Sequence, residues 1–143
     1  MREPARFIVV DDNRTNNLIC EFAIRKYKKE ADVHLFTEPE VALQNIRKDY
    51  GLRERNEFTV LFLDINMPSM TGWEFLEEFR NFGEEVHKQF VIYILTSSVD
   101  ERDKEKAEAD PLVAGFFSKP LTPTRVEQAV AGEVRNLPNR DSS

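Results

Sequence analysis

The sequence predicts an α/β fold, a doubly wound (βα)5 sandwich on a parallel sheet. Three observations lead there. Short apolar runs alternate with amphipathic segments along the whole chain, the pattern of repeated βα units. The runs at 7–10, 58–63 and 90–95 are apolar almost throughout, as expected of strands covered on both faces. Four of the strands also stop on residues of related chemistry: Asp11 and Asp12, Asp64, Thr96 and Ser97, and Ser118, Lys119 and Pro120.

Taken in order, strand 7–11 is followed by helix 14–29, with Leu18, Ile19, Phe22, Ala23 and Lys26 at helical spacing and Asp12 or Asn13 suited to its N-cap. Strand 32–36 is short and more polar and reads as the sheet edge. Helix 38–49 has Thr37 as its expected N-cap, Pro39 in the first turn, and Val41, Leu43 and Ile46 as its apolar content. Strand 58–63 leads through Pro68 and Gly72 into helix 71–82, where Trp73, Leu76, Phe79 and Phe82 recur at steps of three or four. Strand 90–95 precedes 99–109, a charged segment almost without an apolar stripe. Pairs such as Asp100 with Lys104 and Lys104 with Glu108 would support it as a weakly anchored helix. Strand 113–117 is followed by helix 123–136, with Thr122 as cap, Pro123 next, and Val126, Ala129, Val130 and Val134 on one stripe. Connections 50–57 and 83–89 read as surface loops at the amino ends of strands, and the polar tail 137–143 is expected to fray.

A chain of 143 residues suits one domain, here 1–143 with its core at about 5–136. Its net charge of −6 and the lack of a long basic block argue against nucleic-acid binding. The single cysteine, Cys20, excludes an internal disulfide, fits a reducing compartment and reads as a small apolar residue in a helix. The apolar runs are too short to span a bilayer, and the start of the chain does not read as a signal peptide, so a cytoplasmic location is expected. His34 and His87 have no neighbours at metal spacing and are expected to be structural or exposed.

Ligands of open parallel sheets bind at the carboxyl ends of the strands. Asp11, Asp12, Asp64, Thr96 and Lys119 would therefore converge on one rim. Adjacent carboxylates repel unless a cation is shared, and a hard divalent ion takes oxygen ligands, among them the backbone carbonyl of Asn66. Asp64 can act as a nucleophile that forms an acyl phosphate. The Thr96 hydroxyl can donate to a phosphoryl oxygen, and Lys119 offsets negative charge during transfer. A tight turn holding Lys119 inward suits a cis Lys119–Pro120 bond.

These residues, in this order and at these strand ends, resemble the receiver domain of two-component response regulators, over about residues 5–136. The motifs are Asp11–Asp12, Asp64 in Leu63–Asp64–Ile65–Asn66–Met67–Pro68, the turn Met70–Thr71–Gly72, Thr96–Ser97 and Lys119–Pro120. The resemblance implies a flavodoxin-like sheet of order 2-1-3-4-5 with five flanking helices. It implies that Asp64 accepts a phosphoryl group from a phosphohistidine on a sensor histidine kinase or a histidine phosphotransfer protein. It implies Mg2+ (or Mn2+) held by Asp12, Asp64 and the Asn66 carbonyl, with Asp11 acting through water. It implies a switch in which Thr96 moves toward the phosphate and Phe116 turns inward. The family often has Tyr at that position, so a phenolic hydrogen bond is lost here. Output is expected on the face of the fourth predicted helix, the fifth strand and the fifth predicted helix (99–109, 113–117 and 123–136), through a shift of an existing equilibrium. Such a protein is a signalling receiver that catalyses only its own phosphorylation and dephosphorylation.

Three rivals are weaker. A haloacid-dehalogenase phosphatase needs a second aspartate two residues after the nucleophile, where Asn66 stands. A flavodoxin-type cofactor site would have its phosphate repelled by Asp11 and Asp12. A receiver-fold scaffold that is never phosphorylated would not require all five rim residues. Nothing after the last helix reads as an output domain. The expectation is a stand-alone regulator, a relay intermediate or a receiver taken from a larger protein, with an unknown downstream target.

Overall fold

The computed structural model describes residues 3–49, 57–98 and 100–132. Among them the strands are β1 (Glu3–Val10), β2 (Val33–Phe36), β3 (Glu57–Leu63), β4 (Phe90–Thr96) and β5 (Val113–Ser118). The helices are α1 (Arg14–Tyr27), α2 (Pro39–Asp49), α3 (Gly72–Arg80), α4 (Glu84–His87), α5 (Glu101–Ala109) and α6 (Pro123–Ala131). All strand pairings are parallel, in the order β2-β1-β3-β4-β5, which is the predicted doubly wound sheet with β2 at an edge.

Alternate residues of each strand feed two cores. Ile8, Val10, Leu61 and Leu63 pack with α2, α3 and Ala107 of α5. Phe7, Val9, Phe62 and Tyr93 pack with α1 and α6 on the opposite face. In the second core Phe62, Tyr93 and Phe117 stack with centroids 5.3–6.4 Å apart, and the buried Tyr93 hydroxyl donates to the Ala129 carbonyl at 2.7 Å. A buried phenol without such a partner would cost about 1–3 kcal/mol.

Several local expectations are corrected. α1 does not bury its large apolar residues: Leu18 and Phe22 are 61% and 65% exposed, and the seat on the sheet is made by Asn17, Cys20, Ala23 and Ile24. Small residues let the helix backbone approach the strands, which turns the bulky stripe outward. α2 starts one residue later than expected. The Glu38 carbonyl receives the Val41 and Ala42 N–H groups, so the cap position is Glu38 and not Thr37. Connection 83–89 is not a plain loop. Gly83, at φ 94°, opens the short α4, whose Val86 is buried. His87 there bonds the Phe79 carbonyl at 2.8 Å and stacks on the Phe79 ring, a structural role, whereas His34 meets Asp32 at the surface. α6 ends at Ala131, where Gly132 takes the left-handed conformation that closes helices. Val134, the tail 137–143 and connection 50–56 lie outside the described residues. No described helix is long and apolar enough to cross a membrane.

Candidate functional site

Parallel pairing without large offsets lines up the strand ends. Val10 is level with Leu63, Leu63 with Ile94, and Thr96 with Ser118. Backbone bonds extend the alignment past the strands: Asp64 N–H to the Val10 carbonyl at 2.9 Å and Lys119 N–H to the Thr96 carbonyl at 2.8 Å. The residues that follow the four strands therefore meet on one rim. The Lys119–Pro120 bond is cis.

Asp11 is buried, and its Oδ1 accepts the Asn13 N–H at 2.9 Å. Asn13 caps α1 through its own side chain, accepting the Asn16 N–H at 3.0 Å, and so relieves Asp12 of that task. Asp12 stays exposed. Asp64 is buried, with Oδ1 accepting the Asn66 N–H at 3.2 Å. Burial, then the charge of Asp11, pushes its carboxyl above the usual range, against the pull of the Asn66 N–H and Lys119. The Lys119 ammonium lies 2.7 Å from Asp11 Oδ2 and 3.5 Å from Asp64 Oδ2. Lys119 thus bridges both buried carboxylates and sits nearer Asp11. Thr96 is fully buried, and the Asn66 amide donates to its hydroxyl at 3.4 Å.

Asp11, Asp12 and Asp64 each offer a carboxylate oxygen within 4.8 Å of the others. Asp11 Oδ2 is buried and takes no aligned hydrogen bond, so Lys119 meets it only as an ion pair. A set of three carboxylates this close together offers oxygen ligands and fits a hard divalent cation. The five rim residues singled out in the sequence come together here, with Asn66 beside them. Phe116, half-buried on β5, packs against the core that contains Ala107.

Two contributors escaped sequence reasoning. The Asn66 side chain orients Thr96, beyond any use of its carbonyl. Asn17 is buried and donates to the carbonyls of Asp11 at 3.1 Å and Phe36 at 3.4 Å, tying the acidic turn to β2. An amide on the buried face of an amphipathic helix was the available signal. Cys20 lies behind the site as a buried thiol, pushed up to about 12 first by burial and then by Asp11.

The model of the response regulator receiver domain family matches residues 7–131, and the chain belongs to that family. Histidine kinase 3 of Arabidopsis thaliana is 33% identical over 84 residues, 59% of this chain and 7% of that protein. Stress response regulator protein 1 of Debaryomyces hansenii is 31% identical over 120 residues, 82% of this chain and 45% of that one. The chain therefore spans less than half the length of either relative. A two-component response regulator from Cytophaga hutchinsonii superposes with a TM-score of 0.78 at 27% identity, covering 90% of this chain and 95% of that one.

Proposed function

We propose that residues 5–136 act as one phosphorylatable receiver, located in the cytoplasm, and that Asp64 is the phosphoacceptor. The observation that carries this reading is the convergence of Asp11, Asp12, Asp64, Thr96 and Lys119 on one rim from four separate strand ends. An Asp64 oxygen attacks the phosphorus of a phosphohistidine. The new P–O bond forms as the P–N bond breaks, and the imidazole leaves with its electron pair. Lys119, already between the two buried carboxylates, moves its charge toward the incoming phosphoryl oxygens, and the Thr96 hydroxyl donates to one of them. Asp11, Asp12, Asp64 and the Asn66 carbonyl would hold Mg2+ (or Mn2+), which when bound neutralises phosphoryl charge. Asn66 keeps Thr96 aimed at the site through its amide.

The donor in this reading is a sensor histidine kinase or a histidine phosphotransfer protein. Leu18 shares a groove with Asp12, Leu35 and Thr37, so the exposed apolar face of α1 continues to the edge of the rim. That continuity favours a protein donor over a small one, since apolar surface beside a reactive group is covered when a partner docks. Intact mass after incubation with Mg2+ and acetyl phosphate tests the reading. One phosphoryl group should be gained by the native chain and none by Asp64→Asn. Equal uptake by both would remove Asp64 from its role.

A further inference from the structure

A helix without an apolar stripe needs another hold. In α5 just Ala107 is buried, so apolar area contributes little to its seat. Its attachment to α3 is polar instead. The Trp73 indole N–H donates to Asp103 at 3.2 Å, and the Lys106 ammonium lies 4.8 Å from the centre of the same ring. Arg80 grips Asp110 with two parallel bonds of 3.3 and 3.0 Å. Burial alone would raise the Asp110 carboxyl, but the bonds from Arg80 and the Leu112 N–H outweigh it and hold the group below its usual range.

The two attachments have matching geometry. Trp73 and Arg80 are seven positions apart on α3, as are Asp103 and Asp110 at α5. Seven residues are two helical turns, about 10.5 Å of rise. The contacts thus form two rungs between helices that run side by side.

The upper rung begins at the rim. Trp73 follows Gly72, whose N–H donates to the Ile65 carbonyl at 3.1 Å. A Cβ on Gly72 would lie 2.7 Å from the Asp64 carbonyl oxygen and 2.8 Å from Ile65 Cα, so the backbones are already in contact. Thr71 and Glu74 lock this first turn in a reciprocal capping box. A shift of the backbone at Asp64 therefore reaches Trp73 with little slack. The lower rung is two turns away.

We propose that these rungs are a polar clasp, in which the Trp73–Asp103 rung opens when Asp64 is phosphorylated while the Arg80–Asp110 rung stays closed as a pivot for α5. This rests on the receiver reading above and adds its path of transmission. The clasp is a two-state element that the phosphoryl group biases, which is what coupling between sites requires.

Trp73 is the one tryptophan in the chain, so its fluorescence reads the upper rung directly. The full chain would be followed by tryptophan emission and by amide hydrogen exchange of 101–109, before and after Mg2+ with beryllofluoride, an acyl-phosphate mimic. In the native chain the emission should change and exchange of 101–109 should rise several-fold. Asp103→Ala should show the raised exchange beforehand and lose both responses. Arg80→Gln should raise exchange in both states yet keep the emission response. Responses in Asp103→Ala equal to those of the native chain overturn the clasp. Phosphoryl uptake by mass is measured in parallel on each variant. No uptake by the native chain defeats the receiver reading itself, whereas normal uptake with unaltered responses defeats the clasp alone.

Discussion

Asp64 and Asp110 are both aspartates just past a secondary-structure element, and their surroundings push them in opposite directions. At the rim, carboxylates are buried beside one another on rigid strand ends, and the carboxyl of Asp64 rises above its usual range. At α5, carboxylates face cations and an indole across a helix seam, and Asp110 falls below its usual range. At the rim like charges crowd together, a tension that a cation relieves. The α5 seam is relaxed as it stands and is held by contacts that can be exchanged. The same residue type thus sits in opposite surroundings, because Asp64 follows a strand inside the sheet and Asp110 follows a helix that lies on it.

The contrast breaks most visibly at Lys119, the cation between the two buried carboxylates. Lys119→Met should slow phosphoryl uptake from acetyl phosphate by about 10²-fold, the scale of losing one preorganised electrostatic group. No comparable slowing is expected from Lys106→Met, measured by mass against time. Next in size, Gly72→Ala forces a methyl group against the Asp64 carbonyl. It should destabilise the fold by about 1–3 kcal/mol in urea titration. A neutral effect would show that the turn beneath the clasp has slack.

The two aspartates sharpen the comparison through their signs. In metal-free buffer at neutral pH, Asp64→Asn should stabilise the fold by about 1 kcal/mol, and Asp110→Asn should destabilise it by a similar amount. For Asp64 the folded state binds the proton more tightly than the unfolded state. Its penalty is present at pH above the raised folded value and disappears as pH falls below the ordinary 3.8. For Asp110 the stabilising contribution is present above 3.8 and fades as pH falls through the lower folded value. Thermal melts across the acid range should therefore show the two variants approaching the native chain from opposite sides. The smallest expected effect is on α1. Leu18→Ser and Phe22→Ser, both exposed, should leave stability within about 0.5 kcal/mol while slowing phosphotransfer from a protein donor more than from acetyl phosphate.

Much of the site was legible because strand ends carry their own labels. An apolar run that halts on Asp64, and another on Asp11 and Asp12, announces both a strand and a rim residue. The remainder depended on neighbours distant in sequence. Helical spacing grouped Leu18, Ile19, Phe22 and Ala23 in α1 without deciding which of them meet the sheet, because periodicity cannot see that Cys20 and Ala23 permit a closer approach. Pairs four apart in 100–108 suggested a helix held by its own charges. Asp100 instead spends its carboxylate on the Arg102 N–H at 2.8 Å, while Asp103 and Lys106 turn to Trp73.

By itself the sequence determined the alternation of strands and helices, the all-parallel sheet and the residues at its carboxyl rim, since burial on both faces and the chemistry of strand ends are written locally. Which face of α1 meets the sheet, that Asn17 and Asn66 brace the site, and that α3 grips α5 through Trp73 and Arg80 were decided only when the chain closed. Those contacts join residues 19 to 30 positions apart, and their geometry exists only after the sheet has set the helices side by side.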